Sequence, residues 1–249
     1  MHHNDFPTYW AEVNAAVCSG SNEDLVYFMR SGDPRITPLF WEGDQMVTWD
    51  EHDGMKSAVT GLLSSGLCGM VFNHSDIGGY TTITNPIRDY HRSKELLMRW
   101  MELNAFSVVF RTHEGNDPEK NAQFYTDDET MAQFARCAKI FAAWFPYRKQ
   151  LVKEGMEQGL PVVRPPWIHY WNDPEVLKLT YQQFMVGSEF MVAPVLDPGV
   201  SKVRVYLPKG RWHHVWTDKV YGNDDAGTSI EVAAPMGYPA VLFKDGSSA

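Results

Sequence analysis

The sequence predicts an α/β fold, which is the second half of a (β/α)8 TIM barrel followed by a small antiparallel β-sandwich domain. Three observations lead to this prediction. Residues 1–158 alternate short apolar runs with helical patterns, four of these runs end in polar residues, and residues 159–249 contain short alternating segments that turns separate. We therefore expect half of a catalytic barrel at 1–158 and a proximal β-sandwich, truncated at its end, at 159–249.

The barrel part contains four predicted strand–helix units. Strands are predicted at 25–29, 37–41, 69–72 and 107–110, and helices at 10–18, 53–65, 93–104 and from Asp127 onward. Asp128 and Glu129 favour the dipole of the last helix, and Pro146 is expected to kink it. Four such units make half of a barrel, which does not close by itself.

The second part predicts a different architecture. Asp173, Pro174 and Glu175 cap one more helix, with proline at its first position. Short strands with alternating apolar residues are then predicted at 190–195, 203–207, 212–216, 229–233 and 240–243. This pattern is typical of a small antiparallel sandwich.

Composition and charge exclude several classes of protein. Of the 249 residues, 44% are hydrophobic and 21% are charged, as in an ordinary globular protein. The net charge of −9 and the lack of a basic run argue against a nucleic-acid partner. No apolar run is long enough for a membrane span, no secretory signal is visible, and no metal or organic cofactor is expected. A cytoplasmic or organellar location is therefore favoured over secretion.

Polar side chains follow the predicted strands at the end where a barrel carries its active site. Arg30, Asp44, Asp76, and Arg111 together with His113 follow the four strands in turn. Residues at the carboxyl ends of barrel strands converge on one site. Each of them alone is readily explained as a surface or core polar residue, but four successive strand ends together predict a functional site.

Asp44 has the sequence surroundings of a general acid. It follows Trp41 and the flexible Gly43, so its carboxyl can project beside an indole ring. A carboxyl against an apolar wall has a raised pKa, which proton donation in glycoside cleavage requires. Asp76 precedes Gly78 and Gly79, which allow a close approach of the backbone to a ligand.

These motifs resemble those of glycoside hydrolase family 31. The resemblance rests on residues 41–45, 74–80, 110–116 and 205–212, which follow the order of the family and cover nearly the whole chain. It implies a retaining α-glycosidase of carbohydrate metabolism with a (β/α)8 barrel and C-terminal β-domains. It also implies that Asp44 is the acid/base, that Arg30 and His113 hold sugar hydroxyls, and that Asp76 supports the sugar subsite. The candidate substrate-binding residues are Arg30, Trp41, Gln45, Asp76, Tyr80, Arg111 and His113.

The nucleophile of the family has no counterpart in this chain. In the family it is an aspartate on the fourth barrel strand, upstream of the strand predicted here at 25–29. Asp5 follows no predicted strand and is not a credible nucleophile. We therefore expect that the chain alone is inactive, because a retaining mechanism needs both carboxylates. The missing N-terminal half is a candidate partner, besides a carbohydrate substrate.

Within the family, the motifs resemble those of sulfoquinovosidases, which release sulfoquinovose, a glucose with a sulfonate at carbon 6. Gln45, Tyr80 and the extended segment 112–116 carry this resemblance. The phenol of Tyr80 donates a hydrogen bond to an anion, which phenylalanine cannot do. Two alternatives stay open: an α-glucosidase of the same family, and a catalytically inactive fragment that acts as a sugar-binding or scaffold module.

Overall fold

Helices dominate the first part of the chain. A computed structural model describes residues 5–247. Its helices are α1 (Phe6–Ser19), α2 (Met55–Leu67), α3 (Lys94–Asn104), α4 (Asp128–Ala143) and α5 (Phe145–Gln158). Short 3-10 turns lie at Pro166–Ile168 and Val176–Lys178. The helix predicted after Asp173 is thus only one turn. Within residues 5–247, no helix is both long and apolar enough to cross a membrane.

The helix starts follow from local hydrogen bonding. The Ser93 hydroxyl accepts the N–H of Leu96 and begins α3. Asp127 accepts the N–H of Thr130 and begins α4, in a reciprocal capping box. The kink predicted at Pro146 is a complete break, since α4 ends at Ala143 and Pro146 lies in the first turn of α5.

The segments predicted as barrel strands run side by side and parallel, but few residues pair. The ranges 69–72 and 107–110 contain no strand residue, and the pairs lie just after them. Strand β1 (Phe40–Trp41) pairs with β2 (Asn73–His74), while isolated parallel bridges join Met29 to Phe40 and Ile77 to Thr112. The strand predicted at 25–29 is reduced to Met29. Val26 is 77% exposed, so this segment lacks the second neighbour that a buried strand needs.

Helices cover this parallel layer and enclose a core. Helix α2 packs on β2, and α3 packs against α4. The largest fully buried side chains of the core include Trp100, Met55, Leu62, Leu97 and Ile77. A small hairpin, β3 (Ile83–Thr84) and β4 (Asp89–Tyr90), projects between β2 and α3. The carboxyl ends of the parallel segments are left uncovered by these helices and carry the candidate site.

The second part is antiparallel. A six-stranded sheet has the order β10-β9-β12-β7-β6-β5, and β11 pairs with β8 in a separate two-stranded sheet. The strands are β5 (Val163–Arg164), β6 (Phe184–Val186), β7 (Phe190–Ala193), β8 (Lys202–Leu207), β9 (Gly210–His214), β10 (Val220–Asn223), β11 (Thr228–Ala233) and β12 (Ala240–Lys244). Residues from both sheets share one buried cluster around Trp212.

Polar contacts join the two parts. The buried carboxylate of Glu102 on α3 accepts from Arg99 at 2.8 Å and from the backbone N–H of Gly237 at 2.5 Å. Arg99 also donates to the carbonyl of Val200 at 2.9 Å. Arg99 and Glu102 lie in the helical part, whereas Val200 and Gly237 lie in the second part. The buried ion pair therefore links the two parts.

Candidate active site

Two arginine–aspartate pairs lie next to the indole of Trp41. Nη1 of Arg30 donates to Oδ2 of Asp44 at 2.8 Å, and Nη2 of Arg111 donates to Oδ1 of Asp76. The guanidinium carbons lie 5.8 Å (Arg30) and 5.7 Å (Arg111) from the centroid of the indole ring. The structure thus brings together residues that follow all four predicted strands.

The Arg30–Asp44 pair is the outer one. Its side chains are 60% and 35% exposed, and Gly43 before the aspartate has a φ of +88°, which favours glycine. An exposed ion pair is worth at most ~1 kcal/mol. Asp44 therefore lies against a guanidinium rather than the expected apolar wall, in a contact weak enough for a ligand to replace.

The Arg111–Asp76 pair is the inner one. Asp76 is fully buried, and burial raises the pKa of its carboxyl while the positive charge of Arg111 opposes that rise. A side-chain hydrogen bond from Trp41 also opposes the rise, so the indole lies next to the buried carboxyl of Asp76. The guanidinium of Arg111 also lies 4.8 Å from the centroid of the Phe28 ring. Arg111 therefore contacts the carboxylate of Asp76 and the aromatic ring of Phe28.

His74 contacts Arg111 of the inner pair, although the sequence motif did not reveal a role for this histidine. Nδ1 of its ring lies 3.1 Å from the carbonyl of Phe40, and Nε of Arg111 donates to Nε2 at 3.3 Å. Burial and the charge of Arg111 lower the pKa of His74 to about 4. The ring is therefore neutral, with Nδ1–H donating to Phe40 and Nε2 accepting from Arg111.

Tyr80 and His113 form a second aromatic contact at the site. Their ring centroids are 4.8 Å apart in an edge-to-face arrangement. The backbone N–H of Gly115 donates to Nδ1 of His113 at 3.1 Å, so the ring carries its proton on Nε2. Within residues 5–247, the phenol hydroxyl of Tyr80 makes no hydrogen bond. Two side-chain donors are thus available to a ligand.

Gln45 and Glu42 lie on the same loop as Asp44 and line the same cavity as Asp44. The buried amide of Gln45 donates to the carbonyl of Glu42 at 3.0 Å. The carboxyl of Glu42 packs on α2, where it accepts from the Ser65 hydroxyl at 2.7 Å, and burial raises its pKa to about 7. A cavity of about 390 Å³ lies between this loop and α2 and reaches Arg30 and Asp44.

The described residues hold no cluster of three histidine, cysteine, aspartate or glutamate side chains suited to a metal ion. A carboxyl in reach of solvent, next to arginines and aromatic walls, suits proton transfer to a polar, hydroxylated ligand.

Residues 1–247 match two models of one enzyme family. The glycosyl hydrolases family 31 TIM-barrel domain matches residues 1–189, and the family 31 C-terminal domain matches residues 159–247. The chain therefore belongs to glycosyl hydrolase family 31.

Among its relatives, the sulfoquinovosidase of Agrobacterium fabrum is 42% identical over 100% of this chain, and that of Escherichia coli is 40% identical over 97%. The chain spans 37% and 35% of the lengths of these two proteins. A solved family 31 sulfoquinovosidase from E. rectale, in complex with an aza-sugar inhibitor, superimposes with a TM-score of 0.92 at 38% identity. The superposition covers 99% of this chain and 36% of that one.

Proposed function

We propose that the protein with this chain is a retaining α-glycosidase that hydrolyses α-sulfoquinovosides. The observation that carries the proposal is the pair of arginine–aspartate contacts next to the indole of Trp41. The identity of 42% to a sulfoquinovosidase supports the substrate class. Under this proposal, residues 1–158 are the second half of the catalytic barrel, and residues 159–249 are its proximal β-sandwich.

Asp44 acts as the acid/base in this proposal. It protonates the glycosidic oxygen as the leaving group departs and later removes a proton from the attacking water. Arg30 holds the carboxylate between these steps and exchanges it for the substrate, since their pair is exposed and weak. The nucleophilic carboxylate comes from outside these 249 residues. A retaining mechanism requires the two carboxyl groups to lie about 5 Å apart.

The remaining residues bind the sugar. Arg111 and Asp76, which the neutral His74 supports, form the floor of the subsite. His113 donates from Nε2 to a sugar hydroxyl, and the unpaired phenol of Tyr80 donates to the sulfonate. A sulfonate carries a permanent negative charge, whereas the hydroxymethyl group of glucose is neutral. Arginines and a phenol donor therefore favour the sulfonated sugar.

We also propose that the preceding half of the barrel covers helix α1 and residues 25–29. Phe6, Trp10, Val13 and Val17 form a stripe along α1, and each side chain is more than half exposed. In a stable protein, an apolar stripe of this length is shielded from water by another segment or a partner. The relatives have the length for it, since this chain spans 37% of the Agrobacterium protein.

The test compares a nitrophenyl α-sulfoquinovoside with the matching α-glucoside, for the purified protein in its full natural length. We expect a higher kcat/KM on the sulfoquinovoside. Tyr80→Phe should lower this value about 10- to 100-fold and should leave the glucoside nearly unchanged, because a hydrogen bond to a charged group is worth about 1.5–3 kcal/mol. The 249-residue chain alone should show no turnover, because no glycosyl intermediate forms without a nucleophile.

A preference for the glucoside would identify the protein as an α-glucosidase of the same family. Binding of either sugar without any turnover by the full-length protein would favour the binding module. Turnover by the 249-residue chain alone would contradict the assignment of the nucleophile to another segment.

A further inference from the structure

Arg92 is the most enclosed cation near the site, yet among the described residues it forms no ion pair, and the charges of Asp76 and Glu114 act on it only from a distance. Its side chain is 1% exposed, immediately before Ser93, the cap of α3. Burial lowers the pKa of its guanidinium to about 10, so the group stays charged at neutral pH. The hydrogen bonds of this cation go instead to backbone carbonyls and one amide.

These acceptors come from three separate segments. Nη1 donates to the carbonyls of Gly79 at 3.2 Å and His113 at 2.8 Å. Nη2 donates to the carbonyl of Glu114 at 3.3 Å and to Oε1 of Gln123 at 2.8 Å, and Nε donates to the carbonyl of Ala122 at 2.8 Å. One planar group therefore joins the loop before Tyr80, the loop of His113 and the segment after it.

The contact requires the shape of arginine and not only its charge. A guanidinium presents five N–H groups in a fixed plane, whereas a lysine ammonium is a compact point charge with three. The 76–80 loop also packs on the aliphatic part of the side chain, since a Cβ at Gly78 would lie 2.4 Å from Cδ of Arg92. Arg92 thereby fixes both the spacing and the orientation of the two loops.

We propose that Arg92 is the positioning residue of the Tyr80–His113 pair and sets the preference of the site for a sulfonated sugar. It does not touch the substrate. It acts through the carbonyl that precedes Tyr80 and the carbonyl of His113 itself, and so holds the two donor groups in one arrangement. This inference rests on the proposed function, because Tyr80 and His113 are the donors proposed there.

A role in stability alone predicts a different result, and Arg99 supplies the matched control. Arg99 is equally buried at 3% exposure, lies on the adjoining helix, and contacts Glu102 and Val200 away from the site. Loss of either arginine should lower the melting temperature. Only loss of Arg92 should change the discrimination between substrates.

The experiment uses the full-length protein with Arg92→Lys, Arg92→Met and Arg99→Met, and measures Tm, kcat and KM on the α-sulfoquinovoside and the α-glucoside. For Arg92→Lys we expect the ratio of the two kcat/KM values to fall at least about 10-fold, mainly through KM. Arg99→Met should keep this ratio within about twofold. Adding Tyr80→Phe to Arg92→Lys should cause little further loss, because both changes remove the same interaction.

An unchanged ratio in Arg92→Lys, with a Tm lowered as in Arg99→Met, would overturn the inference. If the Arg92 variants do not fold, Gln123→Met removes one acceptor and leaves the arginine in place, and the same change in ratio is expected. The wild-type protein tests the proposed function separately. If it prefers the glucoside, that function fails. A kcat/KM on the glucoside that Arg92→Lys lowers no more than Arg99→Met does would then overturn the positioning role as well.

Discussion

Glu42 offers a test of the site that depends on pH. Its carboxyl lies between the loop of Asp44 and α2, where Ser65 donates to Oε1 at 2.7 Å. On the other side, a Cβ at Gly61 would lie 2.2 Å from Oε2, so only glycine leaves room for this carboxyl. Burial raises the pKa of Glu42 from 4.5 to about 7. The informative change is Glu42→Gln, which keeps the shape and stays neutral at every pH.

The pKa shift of Glu42 makes the stability of the fold depend on pH. The pKa of Glu42 is raised in the folded state, so its contribution to stability is fully present below pH 4.5 and is lost as the pH rises through about 7. A pKa difference of this size corresponds to about 3 kcal/mol at pH 8. Glutamine does not ionise, so Glu42→Gln should gain up to ~3 kcal/mol over the wild type at pH 8 and almost nothing near pH 4.

The assay is urea unfolding of both proteins between pH 4 and pH 8.5, with the free energy of unfolding extrapolated to water. Glu119→Gln, at an exposed position, removes the same charge and controls for the change in net charge. Unfolding free energies of wild type and Glu42→Gln that differ by a constant amount across this range would refute the reasoning. The carboxyl of Glu42 would then be hydrated in solution.

Three further predictions concern the chemistry and the core. Asp44→Ala should slow cleavage of an alkyl glycoside by more than ~10²-fold and that of a nitrophenyl glycoside much less, with rescue by azide; equal losses without rescue would assign Asp44 a structural role. Glu102→Leu leaves the buried Arg99 unpaired and should cost about 3–5 kcal/mol in urea unfolding, so a loss below 1 kcal/mol would contradict the burial of this pair. Gly61→Ala should destabilise the wild type but stabilise a Glu42→Ala protein by up to about 1 kcal/mol, and equal effects in both would exclude the contact.

Local signals in the sequence were sufficient for helix starts and for the alternating strands. The caps Ser93 and Asp127 begin α3 and α4, and the predicted strands at 203–207 and 229–233 correspond to β8 and β11. Strands β5 and β6 were missed because both their faces are buried, so that their residues do not alternate between apolar and polar. Periodicity identifies a strand only where one face meets water.

The strand ends were predictable as a group, but the groups that hold them in place were not. Arg30 contacts Asp44, and Arg111 contacts Asp76. Nothing in the sequence indicated the contacts of Arg92, because most of its partners are backbone carbonyls of distant loops. Every residue has a backbone carbonyl, so the sequence does not show which ones accept a hydrogen bond. Such a role becomes visible only when the loops are seen together.

Exposure separates the outer ion pair of the site from its inner, buried contacts. The Arg30–Asp44 pair is 60% and 35% exposed, the Arg111–Asp76 pair is 27% and 0% exposed, and Arg92 is 1% exposed. Water weakens the outer pair, so a ligand can replace Arg30 as the partner of Asp44, whereas desolvation makes the inner contacts costly to break. Changes at Asp44 should therefore alter rate at a constant Tm. Changes at Asp76 and Arg92 should lower Tm and alter the choice of substrate together, which separates the chemistry of this site from its specificity.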